Sequence, residues 1–353
     1  MNSIALRCAL VLICLLGAAP ARAQSAHGYR LVWDDFHEGW SADAPGARWL
    51  TFSDGAYVAS DGIVTTGPRG LSVVPCGVNA ATSDPAFSLT LGQDAGALAP
   101  FDHAKWIVVM NHFSSGGFVG FDAVAGQELV CEAEVSGQVF GGSGQPFGDA
   151  VADPEGDIRL GNAAISAFDP ETFVIFNFIV TNTALYAWYE RPVFLRNSLG
   201  DYASFAFAVP VMARRPHDEH RLGIGYDRAA GTARWLVDGQ EVYRVDTIGA
   251  RIDRRYLLID HGGDDVSVSP AQLDCGMALF DFLDGYGTTG RGLVQIDGAD
   301  DYFDPRLGAP AGLTFVDPDS SLDDRLFGQG AGMQVRRFDV ESREAGGAGE
   351  VCE

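Results

Sequence analysis

The chain has almost no lysine, and past its first two dozen residues it has no long apolar run and almost no stretch that reads as an amphipathic helix. No later segment approaches the ~18 apolar residues of a membrane helix, so no membrane partner is expected. Gly-x-Ser-x-Gly, phosphate-loop, dinucleotide and His-Glu-x-x-His patterns are absent, which argues against serine-hydrolase, nucleotide-enzyme and zincin chemistry. Heptads, repeats and Pro/Ser-rich linkers are missing too. Basic residues are few: 24 Lys and Arg face 47 Asp and Glu, a net charge of −23. Such a surface repels nucleic acid and anionic lipid. It leaves a structural Ca²⁺ open, and no other cofactor is expected.

The N-terminus has the zones of a secretory signal: Arg7, an apolar stretch Cys8 to Ala19, and the small-x-small motif Ala21-Arg22-Ala23. Cleavage after Ala23 is expected, giving a secreted or periplasmic protein. Residues 1–23 carry two arginines and no acid, so the remaining chain has 22 − 47 = −25. Val11-Leu12-Ile13 before Cys14 does not make a lipobox. Cys76, Cys131, Cys275 and Cys352 remain. Their spacings are too wide for a zinc knuckle, and in an oxidising compartment they allow three disulfide pairings, among which the sequence does not choose.

Turn signals are spread evenly, at Asp54-Gly55, Asp61-Gly62, Gly116-Gly117, Gly141-Gly142, Asp238-Gly239, Gly262-Gly263 and Asp297-Gly298. Between them lie short runs rich in aromatic and β-branched residues, the pattern of an all-β, two-sheet antiparallel sandwich. Strands are expected at Tyr29–Asp35, Trp106–Asn111, Glu128–Gln138, Thr172–Thr181, Ala184–Tyr189, His220–Tyr226, Ala233–Asp238, Glu241–Asp246, Leu257–Asp260 and Leu293–Ile296. One domain over 24–340 and a Gly-rich tail over 341–353 follow, with a monomer expected.

The run Asp218 to Asp227, followed by Arg234-Trp235-Leu236-Val237-Asp238-Gly239-Gln240-Glu241-Val242-Tyr243, resembles the strand–turn–strand run of concanavalin A-like lectins and glucanases. Among these it is most similar to the laminarinase, lichenase and agarase family of glycoside hydrolases. Leu31-Val32-Trp33-Asp34-Asp35-Phe36, with Trp49 after it, resembles that family's opening strand. The overall look is also similar to secreted bacterial proteins of a family of unknown function. The resemblance implies a jelly roll and a carbohydrate or other small polar ligand. It also implies a Glu-x-Asp-x-(x)-Glu strand carrying nucleophile and acid/base. Here Glu128-Leu129-Val130-Cys131-Glu132-Ala133-Glu134 keeps the Glu128/Glu132 spacing, but Val130 replaces the Asp.

Alternation places Glu128, Glu132 and Glu134 on one strand face, roughly 6.5–7 Å between successive side chains of that face, a separation paired-carboxylate hydrolases use. A solvated outer face of an edge strand is the ordinary alternative. Glu190 is a further catalytic candidate. Tyr186, Tyr189 and Arg191 beside it are candidate sugar contacts, against a core aromatic pair with a structural ion pair. Tyr186 and Glu190 share one face, Tyr189 and Arg191 the other. His103 and Lys105 are candidates because one lysine persists where arginine is otherwise used. His261 sits beside Asp260, Asp264 and Asp265, a setting for a raised imidazole, or for a solvated turn. His220 is expected to be structural, and Asp317–Asp324 lacks a calcium-loop pattern. Three readings follow: a carboxylate glycosidase, a non-catalytic glycan or surface binder, and a jelly roll recruited to lyase or isomerase chemistry.

Overall fold

The computed structural model describes residues 28–91, 101–283 and 326–345. The expected signal segment, the expected Leu293–Ile296 strand, the Asp297-Gly298 turn signal, Asp317–Asp324 and Cys352 lie outside them. The described chain is a jelly-roll sandwich of two antiparallel sheets. The eight-stranded sheet runs β18 (Gln240–Val245), β17 (Thr232–Val237), β16 (His220–Asp227), β11 (Gln127–Phe140), β21 (Gly330–Glu344), β6 (Gly70–Val74) and β5 (Ile63–Gly67). β1 (Tyr29–Asp34) lies beside β6 along the same side of β21. The nine-stranded sheet runs β19 (Leu257–Asp260), β15 (Phe205–Ala213), β14 (Ala184–Arg191), β13 (Val174–Val180), β12 (Asn162–Asp169), β20 (Gln272–Phe280), β9 (Ala104–Met110) and β2 (Trp49–Thr51), with β10 (Phe121–Asp122) on β20. Two short ladders, β3 (Ser53–Asp54) with β4 (Tyr57–Val58) and β7 (Gly77–Val78) with β8 (Pro85–Ala86), lie outside both sheets.

Alternating residues of each sheet meet in the core. From the larger sheet come Phe176, Phe178, Tyr189, Phe205 and Phe207, and from the smaller Leu129, Ala133, Leu222, Ile224 and Trp235. Burying this apolar surface is the main force that holds the sheets face to face. The Trp235 indole N–H donates to the Asn177 carbonyl at 2.8 Å, satisfying a buried donor across the two sheets. Of the possible cysteine pairs, Cys131 on β11 and Cys275 on β20 form a disulfide across the core, with Cα atoms 5.7 Å apart. Cys76 is an exposed thiol. At the β17–β18 turn Asp238 and Gly239 both hold positive φ, 53° and 82°, the pairing a type I′ hairpin requires. His220 Nδ1 lies 3.0 Å from the Asp238 carboxylate and fixes the same turn.

A second apolar layer covers much of the outer face of the larger sheet. Ile179, Trp188, Ala206, Ala208 and Ala278 there pack against Tyr57, Ile158 and Phe282 from the connecting segments.

Candidate functional site

Leu129, Cys131, Ala133 and Val135 enter the core, so Glu128, Glu132 and Glu134 share the outer face of the smaller sheet. β11 is a central strand between β16 and β21, not an edge. The three carboxylates have different surroundings. Glu128 is buried and gripped by Arg234 Nη2 at 2.5 Å and Arg343 Nη2 at 2.8 Å. Glu132 lies between Arg30 and Arg221, 3.5 Å from each. Burial pushes its carboxyl above the ordinary value, against the pull of Arg221 and Arg30. Asp339 stands directly across the ladder from Glu132 and binds Arg30 at 3.0 Å and Arg337 at 2.7 Å. Glu134 is half-buried, 3.8 Å from Arg336. The face is thus a lattice of alternating arginines and acids. Two clefts formed by described residues, taken up below, lie elsewhere.

On β14 the two faces separate as alternation requires. Tyr186, Trp188 and Glu190 face outward, where Glu190 accepts the Trp188 indole N–H at 2.9 Å and the Tyr186 hydroxyl donates to the Gly156 carbonyl at 2.9 Å. Tyr189 is a correction to the sugar-contact reading. It is fully enclosed, stacked on Phe176, and its hydroxyl accepts the Gly249 N–H and donates to the Ala250 carbonyl. A ring with both faces in the core packs and does not receive a ligand. Arg191 is corrected likewise. Its guanidinium is buried 3.9 Å from the Tyr202 ring and donates to the Val266 carbonyl.

Lys105 is also buried, not presented. Its ammonium donates to the Leu89 carbonyl at 2.8 Å and lies 3.4 Å from Asp102. His103 rests against Phe280 and Phe282 at ring distances of 6.1 Å. The acids beside His261 are largely claimed by arginines: Asp260 by Arg251 and Arg254, Asp265 by Arg251. Arg196 donates to the His261 and Gly262 carbonyls and holds the turn. Among the described residues no three His, Cys, Asp or Glu side chains converge as a metal site.

Near Lys105, Asp281 is fully buried, accepting from the Leu283 N–H and the Gln329 amide. Burial, opposed by Lys105 and reinforced by Asp102, pushes its carboxyl up to about 7. A carboxyl raised in the folded state favours folding in its protonated form. Its contribution is therefore fully present below the ordinary carboxylate value and is lost as pH rises toward 7. Melting temperatures measured from pH 4 to 8 should show the wild type losing stability relative to Asp281→Asn across that window. Parallel curves for the two proteins would contradict this.

Residues not singled out in the sequence form an open cleft of about 570 Å³, where β2 and β9 of one sheet approach β5 of the other. It is lined by Trp40, Trp106, Ser41, Asp43, Thr51 and Ser60, among others. Trp40 is half-buried. It stacks on Trp49 at 5.8 Å and leans on Trp106 at 6.2 Å. Asp34 anchors this group, accepting the Trp49 indole N–H at 2.9 Å and bonding Arg48 at 3.2 Å. Asp43 accepts both the N–H and the hydroxyl of Thr51, at 2.8 and 2.6 Å, which sets the turn after Trp40. Trp40 and the Ser41–Ala44 turn are adjacent in the sequence, but Trp106 joins them only through the fold.

Several solved structures are similar to this chain at low identity. An endo-1,3-β-glucanase from Streptomyces sioyaensis superposes with a TM-score of 0.43 and 12% identity over 93% of this chain and 100% of that one. Alginate lyase A1-II′, a member of polysaccharide lyase family 7, gives 0.37 and 11% over 82% and 86%. The Bacillus licheniformis β-glucanase gives 0.36 and 10% over 91% and 99%. In sequence, the uncharacterized protein L829 of Acanthamoeba polyphaga mimivirus is 27% identical over 336 residues, 69% of this chain and 76% of that protein. This relative is viral, not bacterial as the sequence resemblance suggested. A family model matches residues 33–344, and the chain belongs to that family, a family of unknown function (DUF6081).

Proposed function

We propose that the protein is a secreted or periplasmic glycan-binding β-sandwich whose ligand lies in the Trp40 cleft. The observation that carries this reading is the lining. A half-exposed indole backed by two further tryptophans offers a flat apolar face for a sugar ring. The Asp43 carboxylate and the Ser41, Thr51 and Ser60 hydroxyls supply directional hydrogen bonds at its edge. A buried disulfide fits an oxidising compartment. Affinity electrophoresis in gels containing soluble β-1,3-glucan, alginate or chitosan tests the reading. At least one polymer should retard the wild type, and Trp40→Ala should weaken that retardation by about tenfold or more, the ~1.4 kcal/mol expected for a lost stacking face. If no polymer retards the protein, or Trp40→Ala binds as the wild type does, the reading is wrong.

A second reading is hydrolysis at Glu132. Its carboxyl is raised by burial, and Asp339 stands directly opposite across the ladder, so two carboxylates face each other where acid and base roles could be divided. Release of reducing ends by the wild type but not by Glu132→Gln, in the same polymers, supports it. No release by the wild type removes it.

A further inference from the structure

A second cleft, of about 700 Å³, lies at one end of the sandwich, where the loop before β10, the β12–β13 turn, the β16–β17 turn and the start of β20 converge. Gly120 pins the loop down. Its φ is +118°, and a Cβ there would stand 2.6 Å from the Leu273 backbone, so this loop wall is set against β20. Gln272 is buried in the floor and held by Ser114 and Asp169. Three charged side chains line the space: Asp122, Glu171 and Arg228. Asp122 Oδ1 is taken by the N–H and hydroxyl of Ser115, and Glu171 is 3.4 Å from the Gln272 amide. Phe118, two-fifths exposed, and Val124 supply apolar surface.

Among the described residues most arginines are paired with acids, as on the β11 face. Arg228 differs. It is half-buried, its Nη1 approaches the Ala123 carbonyl at 3.4 Å, and it forms no ion pair with Asp122, Glu171 or any other described acid. Charges of both signs line one cleft without neutralising each other. A neutral sugar entering here would strip water from all three and return no charge. A uronate would satisfy Arg228 but meet two carboxylates, inside a chain of net charge −23. A ligand with an ammonium at one end, a carboxylate at the other and an apolar side chain answers every group.

We infer that this cleft binds a small zwitterion, an α-amino acid or dipeptide with an apolar side chain. Its ammonium lies toward Asp122 and Glu171, its carboxylate on Arg228, and its side chain against Phe118 and Val124. The site is separate from the Trp40 cleft and does not depend on the glycan reading.

Isothermal titration calorimetry with leucine, phenylalanine and Leu-Leu tests it on the wild-type protein. Saturable binding by at least one is expected. Masking the amine (N-acetyl form) or the carboxylate (amide form) of that ligand should each weaken it by about tenfold or more, since each removes one charged contact. Because the masking is done on the ligand, this result does not depend on any variant folding. Arg228→Gln should reduce affinity for the free ligand and abolish the penalty of the amide form, while Trp40→Ala leaves binding unchanged. Absence of saturable binding by all three ligands overturns the inference. So does binding that tolerates both maskings, and so does an amide penalty that persists in a folded Arg228→Gln.

Discussion

Replacing Cys131 and Cys275 together by alanine should cost about 5 kcal/mol, the largest effect expected of any change outside the tryptophan core. The bridge closes a loop of 144 residues, and chain-entropy loss in the unfolded state grows with loop length. The value is a ceiling, because residual structure in the unfolded chain already removes some of that entropy. The location adds a second cost. Both cysteines are fully buried between β11 and β20, so the variant also loses packing where the sheets meet. In a domain this size the melting temperature should fall by roughly 10 °C. Calorimetry on the oxidised wild type and the double variant decides it. A difference below about 2 °C would mean that the bridge constrains little.

The second large effect concerns Glu128. Glu128→Ala leaves Arg234 and Arg343 facing the space of a removed carboxylate. That carboxylate lies directly over Gly225, where a Cβ would be 2.5 Å from Glu128 Oε1. Breaking a fully buried ion pair costs about 3–5 kcal/mol. Here both arginines keep about a fifth of their side-chain surface in solvent, and each has a second acid, Glu241 for Arg234 and Glu341 for Arg343. The expected loss is therefore smaller, about 2–3 kcal/mol. Urea unfolding should show a lower midpoint at unchanged slope. Glycan retardation of the folded variant should be unaltered. A variant as stable as the wild type would show that the arginines are satisfied without it.

What was legible in the sequence follows from which signals are local. The β17–β18 hairpin is written in Asp238-Gly239, because only residues tolerant of positive φ serve there. The outward set Glu128, Glu132, Glu134 is readable because strand alternation leaves no other arrangement once Leu129, Cys131 and Ala133 are inside. Their fates were not readable. Arg30, Arg221, Arg234 and Arg343 arrive from four other strands, and only the sheet order brings them together. Alternation separated Tyr186 from Tyr189 correctly but did not say which face was the interior. β20 escaped notice because all nine of its residues are buried, so it has no polar period. β21 escaped because it opens Gly330-Ala331-Gly332, a composition that reads as a turn. The Trp40 cleft joins residues 40–64 to Trp106, and the second cleft joins four separate segments. Neither grouping has a linear signature.

The position of β21 also has a kinetic consequence. The last described strand is the central staple of its sheet, with β11 along one side and β1 and β6 along the other. During synthesis the first three of these strands emerge long before the one that joins them. Half of the sandwich must wait for β21, so slow folding is expected, with the rates that distant strand pairing brings. Losing the last fifteen described residues would remove the shared partner of three strands, not trim an edge.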